Sequence, residues 1–308
     1  MKKKKSLIEI ANLWKNEKRQ YVKKSSFAAY SLLIENHLNP VFGDHFNIEE
    51  SEIQDFVLKK IEQGLSQKTI KDILIVLKMV LKFGAKNKWI QYNPIDIQYP
   101  TAREAYRIEV LSRSNQKILM KYVEDHFTFK NLGIYICLSS GIRIGEVCAL
   151  RWDDIDLENG VISIKRTIQR IYNLDEEVRK TEVILDTPKT KNSIREIPIS
   201  RDLLNLIKPV KKIVNPNFYI LTNDSKPTEP RTYRNYYKEL LKTIGLPNLK
   251  FHALRHSFAT RCIESKCDYK TVSVLLGHSN ISTTLNLYVH PNLEQKKKAI
   301  ELMFKGLK

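Results

Sequence analysis

The sequence predicts a mainly helical chain with a small antiparallel β-sheet, an α+β protein in two units. Three observations carry this. The chain has 308 residues, room for two domains at roughly 150 residues each. Over the first hundred residues, apolar side chains recur at steps of three and four, the period of a helix with one buried face. Beyond residue 110, helical stretches are interrupted by short strand-like segments.

The elements follow in order. A first helix is expected around Leu7 to Trp14. Phe27, Tyr30, Leu33, Ile34 and Leu38 mark a second, which Asn39-Pro40 should stop. Ile53, Phe56, Val57 and Ile61 mark a third, ended by Gly64. Ser66 then caps a fourth, with Ile70, Ile73, Leu74, Leu77 and Leu81 inward, closed by Asn93-Pro94. Residues 1–100 thus read as a four-helix unit, residues 101–110 as a linker, and residues 111–308 as the second unit. There, helices are expected near 115–126 and 129–139. Strands are expected at 161–165, 183–185 and 195–199, the last bringing Ile197 and Ile199 to one face. Helices resume from about 200, with an extended stretch at 218–221 and a tail helix in 292–308. No solenoid-length repeat is visible.

Apolar residues make up 42% and charged residues 28%, which suits real cores and argues against global disorder. Lysine and arginine number 52 against 34 acids, a net charge of +18. Residues 1–100 hold 17 basic and 11 acidic side chains, net +6, and the remainder carries +12. Both units therefore favour a polyanion, with nucleic acid ahead of an anionic membrane surface. The Lys2–Lys5 run is not followed by a signal-peptide core, and no stretch of about 18 apolar residues occurs. The expectation is a soluble cytoplasmic protein whose four cysteines stay reduced.

Chemistry-bearing residues gather at chain reversals. Ser140-Gly141-Ile142-Arg143-Ile144-Gly145-Glu146 sets an arginine between glycines, with Glu146 one helical turn on. In His252-Ala253-Leu254-Arg255-His256, a helix places His252, Arg255 and His256 on one side and Leu254, Phe258 and Cys262 on another. Two histidines and an arginine on one face call for an anion or a carboxylate, although His256 could equally be a hydrogen-bonded structural histidine. Leu275-Leu276-Gly277-His278 follows, and Tyr288 ends a short helix before Val289-His290-Pro291. A zinc quartet of His252, His256, Cys262 and Cys267 fits no common finger spacing.

Together these motifs resemble the tyrosine recombinases of the phage-integrase family. The resemblance is carried by the Gly-Ile-Arg-Ile-Gly-Glu turn, the run from His252 to Arg261, Leu-Leu-Gly-His, and Ile281-Ser282-Thr283-Thr284 leading to Tyr288. It covers about Leu111 to Pro291 closely. The N-terminal unit is similar, in pattern only, to the family's SAM-like core-site-binding domain. The resemblance implies a site-specific DNA recombinase that cuts and rejoins DNA through a 3′-phosphotyrosyl link, with no cofactor, ATP or metal. Tyr288 is then the nucleophile and Arg143 and Arg255 hold the phosphate. His252 is the candidate base and His278 bonds the phosphate. Glu146 orients the first arginine in a supporting role. Lys189, on a β-hairpin from Thr187 to Arg195, is taken as general acid, with Lys191 as runner-up. The implied partners are double-stranded DNA bearing core sites, clamped between the two units, and three further copies docked through the tail. An accessory directionality factor is a further implied partner. The ending Leu-Tyr-Val-His-Pro leans towards mobile-element integrases. A type IB-like topoisomerase, a non-enzymatic DNA-binding regulator and a membrane-surface protein are the weaker alternatives.

Overall fold

A computed structural model describes residues 3–100, 108–173, 181–188, 191–288 and 293–306. The chain divides into two compact units, residues 1–105 with 171–182, and 106–170 with 183–308.

The first unit is helical. It comprises α1 (Leu7–Lys18), α2 (Lys24–Leu33), a π-helical turn (Ile34–Leu38), α3 (Asn39–Phe42), α4 (Glu50–Glu62) and α5 (Gln67–Lys86). Its core is the expected set: Leu7, Ile10 and Trp14 meet Ile34, Leu38, Ile53, Val57, Ile70, Ile73 and Leu77. The caps are local. Glu9 Oε2 accepts from the Ser6 backbone N–H at 2.8 Å, and Ser66 Oγ accepts from the Thr69 N–H at 3.1 Å.

Two boundaries differ from the expectation. Asn39-Pro40 does not stop the second helix. The chain runs on helically through the π turn into α3, and the wider π turn directly ahead of Pro40 is where the helix accommodates it. The helix opened by Ser66 ends at Lys86, not at Asn93-Pro94. Lys88 turns to φ +62°, and the Trp89 N–H reaches back to the Gly84 carbonyl at 3.0 Å, a Schellman-type closure. The segment beyond it lies along the core instead. Ile95 and Ile97 pack there, and Gln54 exchanges two hydrogen bonds with the Gln98 backbone, both 3.0 Å.

The second unit begins with α6 (Arg113–Asp125), α7 (Phe129–Ser140) and α8 (Ile144–Ala149). In chain order strands β1 (Ile155–Asp156), β2 (Val161–Ile164), β3 (Thr167–Tyr172), β4 (Thr181–Asp186) and β5 (Arg195–Pro198) follow, of which the end of β3 from Ile171 and the start of β4 to Glu182 count with the first unit. Then come α9 (Arg201–Lys211), α10 (Pro230–Thr243), α11 (His252–Glu264), α12 (Tyr269–Leu276), α13 (Ile281–Tyr288) and α14 (Leu293–Lys305). Helix α7 is buried on nearly every side and packs along α11. Around it sit Trp152, Ile162, Ile197, Leu203, Tyr233 and Leu254.

Among the described residues the strands form two small sheets rather than one. Strands β1, β2 and β5 form an antiparallel sheet, and β3 pairs with β4. The expected hairpin from Thr187 to Arg195 is therefore a connection between sheets. It leaves β4, includes a 3-10 turn at Lys191–Ser193, and enters β5, whose partner is β2. The reason lies in the alternation of β5: Ile197 faces Ile162 across the ladder and fills the core, which fixes β5 to β2. Residues 218–221 are not the extended run expected: Tyr219 alone is bridged, to Arg151 and Asp224, and the chain turns from Ile220 onward.

Candidate active site

The site is built where α7, α8, α11, α12 and α13 meet in the second unit. Helix α7 ends at Ser140, and Gly141 turns the chain at φ +65°. A Cβ there would lie 2.4 Å from the Phe258 ring, so glycine is required both by the turn and by the close approach of α11. The turn delivers Arg143 to the N-terminus of α8. The expected pairing with Glu146 is present: Arg143 donates from its backbone N–H and from Nη1 to the two carboxylate oxygens, both at 2.8 Å.

Glu146 is 3% exposed and has a second cation. Arg195 donates from Nη1 at 3.2 Å and from Nη2 at 3.0 Å. Burial alone would raise the Glu146 pKa; Arg195 and Arg143 more than offset it and hold the carboxyl below its ordinary value. Glu146 is thus an anion clamped between two guanidinium groups.

The C-terminal end of α12 gathers three arginines. Its last carbonyls lack helical partners and carry the negative end of the helix dipole. Arg195 Nε donates to Leu275 O at 2.6 Å, Arg255 Nη2 to Leu276 O at 2.8 Å, and Arg143 Nη2 to Gly277 O at 3.2 Å. Arg255 also donates from Nη1 to Gly141 O at 2.8 Å. Gly277 makes the convergence possible: its φ is +66°, and a Cβ would stand 3.0 Å from Asn192 O and 3.1 Å from Arg195 Nη1.

The two arginines differ in access. Arg255 is 3% exposed, whereas the Arg143 side chain keeps 37% of its surface. Burial and Arg143 pull the Arg255 pKa down to about 9, so it remains a cation at neutral pH.

Three histidines surround this cluster. His278 Nδ1 lies 2.8 Å from the buried Thr284 hydroxyl, which fixes the ring and leaves Nε2 for another partner. Burial, then Arg255, Arg143 and Arg195, push its pKa down to about 4. His252 is also brought down to about 4 by withdrawal from bulk water and by His256, Arg255 and Arg143, although its side chain keeps an open face. His256 is buried, and burial and Arg255 lower its pKa. Its ring meets His252 edge-on, with centroids 4.5 Å apart. At neutral pH His252 and His278 are uncharged, hydrogen-bonding groups amid fixed arginine charge.

Tyr288 is the last residue of α13. Its ring packs in a small cluster with Ala259, Val272, Leu276 and Phe258. Its hydroxyl lies 2.6 Å from His256 Nδ1, and Arg255 is close enough for the two charges to interact. The tyrosine therefore sits beside the arginine–histidine cluster of its own chain, and its resting partner is His256, not His252. A cleft of about 430 Å³ opens beside the cluster. Arg143, Gly277 and His278 line it, together with Thr187, Pro188 and Ser193 from the β4–β5 connection.

The structure thus brings Arg143, Glu146, His252, Arg255, His278 and Tyr288 together, on neighbouring helices and the turns that join them. Lys189 lies outside the described residues, and Lys191 begins the 3-10 turn of the same connection. Sequence reasoning missed Arg195. The available signal was the alternation of β5, which puts Arg195 on the inward face with Ile197; a charge there demands a buried partner. Among the described residues, no group of histidine, cysteine or carboxylate side chains is arranged to hold a metal ion, so the zinc arrangement is not formed. No helix of the described residues is long and apolar enough to cross a membrane.

The chain is similar to known proteins over most of its length. Residues 6–61 match the N-terminal SAM-like domain of phage integrases. The chain is 31% identical to a XerC-like tyrosine recombinase of Caldanaerobacter subterraneus, over 97% of this chain and 82% of the relative. It is 27% identical to the ICEBs1 integrase of Bacillus subtilis, over 88% of this chain and 75% of the relative. Its fold is similar to that of the Tn1549 transposon integrase solved with transposon right end DNA. That likeness has a TM-score of 0.80 and 23% identity, covering 97% of this chain and 99% of the other. With residues 109–295 matching the Phage integrase family, more than half of its length, the chain belongs to that family, the tyrosine recombinases.

Proposed function

We propose that this chain is a site-specific DNA recombinase of the mobile-element integrase type, acting on core sites in double-stranded DNA through Tyr288. A phosphodiester resists attack because its oxygens are negative and its leaving alkoxide is poor. Arg143 and Arg255 answer the first difficulty. Each guanidinium has five N–H donors and spends only some of them on Glu146 and main-chain carbonyls, so donors remain for nonbridging oxygens. His252 and His278, neutral and half enclosed, add hydrogen bonds without repelling the arginines. Lys189 protonates the departing 5′-oxygen, with Lys191 as the alternative on the same connection. The 3′-phosphotyrosyl link keeps the energy of the broken bond, so a 5′-hydroxyl can reseal it without a nucleotide.

The observation that carries this reading is the gathering of Tyr288, Arg255, Arg143 and His278 around the end of α12. The wider assembly follows the same reading. Both units are basic, so phosphate contacts dominate affinity for the duplex, which falls with salt. The tail helix α14 leaves Ile300, Met303 and Phe304 about half exposed. It docks into a neighbouring copy in a tetramer on two DNA sites, and an accessory factor sets direction. The experiment is incubation with nicked suicide DNA carrying candidate attachment sites, followed by denaturing electrophoresis. A protein–DNA adduct is expected with the native chain and none with Tyr288→Phe, which keeps DNA binding. Adduct formation by Tyr288→Phe would overturn the reading.

A further inference from the structure

A tyrosine nucleophile needs somewhere to send its proton. Near neutral pH only about one phenol in a thousand is ionised. The partner the structure supplies is on α11 but is not the histidine that the motif suggests. His252 is exposed and faces His256 edge-on. His256 is 6% exposed, one residue beyond Arg255, and its Nδ1 stands 2.6 Å from the Tyr288 hydroxyl. The ring centroids of His256 and Tyr288 are 5.6 Å apart, so the contact is made at the polar edges and not by stacking.

We propose that His256 is the general base of the cleavage step, accepting the Tyr288 phenolic proton at Nδ1 as the oxygen attacks phosphorus, and that His252 serves the phosphate instead. The proposal rests on Tyr288 being the nucleophile. In the step, the Tyr288 Oη–P bond forms and the P–O5′ bond breaks. The phenolic proton passes to His256 Nδ1, and the 5′-oxygen takes a proton from the general acid. Resealing runs backwards, with His256 returning the proton to Tyr288.

A neutral imidazole is a far weaker base than a phenolate, so the proton stays on Tyr288 at rest. The contact therefore keeps the nucleophile aligned but latent. Once Oη begins to bond phosphorus its basicity collapses, and transfer to a ring already in contact needs no further motion. Arg255 couples the two roles: it neighbours the base in sequence and lies close enough to Tyr288 to favour developing negative charge on oxygen. Base and phosphate-holding arginine therefore move as one element.

The test is single-turnover adduct formation by the full chain on nicked suicide DNA. His256→Asn leaves a hydrogen-bonding atom near the place of Nδ1 but no basicity. It should slow adduct formation by about 10²-fold while gel retardation and thermal melting stay unchanged. Placing a fluorinated, more acidic tyrosine at position 288 should shrink that deficit to less than about tenfold, because a readily ionised phenol needs no base. If His256→Asn fails to fold, His256→Gln gives the same comparison. Cleavage by the variant at the native rate or faster would overturn the proposal, since the contact would then merely restrain Tyr288. A deficit unmoved by the fluorinated phenol would overturn it too, leaving His256 a positioning role. Absence of adduct with the native chain would instead count against the Tyr288 reading itself.

Discussion

The two units bury different things. The core of the first is apolar: Ile53, Val57, Ile70, Ile73, Leu77 and Val80 are all essentially inaccessible, and its charges line the surface. The second unit has a comparable apolar core but also encloses Glu146, Arg195, Arg255 and His256 beside it. The first kind of core is specified by volume and pattern and tolerates small losses. The second is specified by partners: Glu146 and Arg195 depend on each other, and Arg255 on the main-chain carbonyls of Gly141 and Leu276. A charge network of that kind is a costly way to hold helices together. Such a network at the end of α12, next to the tyrosine, is what the proposed phosphate chemistry would require and what stability alone would not.

The contrast can be broken in measurable ways. The largest effect is expected from Glu146→Ala, which leaves Arg195 enclosed and unpaired and frees Arg143. It should destabilise the second unit by about 3–5 kcal/mol in denaturant unfolding. It should also depress cleavage by the molecules that remain folded. A loss under about 1 kcal/mol would mean that the carboxylate contributes no more than a surface ion pair.

A smaller effect comes from acid. The folded protein holds His278 at a pKa of about 4, against 6.5 for an ordinary histidine. An unfolded chain takes up the proton below 6.5, while the folded one refuses it until about 4. Stability contributed by this ring is therefore whole above pH 6.5 and is lost as pH falls to about 4. Unfolding followed between pH 7 and 4 should show a shallower decline in His278→Asn than in the native chain. Equal slopes would contradict the enclosure of this ring. The smallest effect is expected from the apolar core. Ile73→Val should cost about 0.5–1.5 kcal/mol and leave the cleavage rate of folded molecules unchanged.

The same contrast explains what could be read from the residues. The first unit was legible almost whole, because its helices are written in local apolar spacing. The exceptions are also local but subtler. Pro40 reads as a stop yet is accommodated by the π turn ahead of it, and the αL turn at Lys88 has no glycine to announce it. In the second unit, Arg143 and Glu146 were legible as a pair because they are three residues apart. Arg195 was not, because its partner Glu146 is 49 residues away and only the β2–β5 register brings them together. A hairpin between β4 and β5 was what the family resemblance implied, and the residues do not contradict it locally. The sequence does not show that each strand prefers a different neighbour. His252 and His256 share one helical face, so periodicity could not say which of them meets Tyr288; a 2.6 Å contact places His256 there.

The most direct measurement is of the bond itself. The adduct formed on nicked suicide DNA can be digested with protease and nuclease and the nucleotide-bearing peptide identified by mass spectrometry. The account predicts one modified residue, Tyr288, joined to a 3′-phosphoryl end, with a free 5′-hydroxyl on the released strand. Attachment to any other residue, or through a 5′-phosphoryl end, would contradict it.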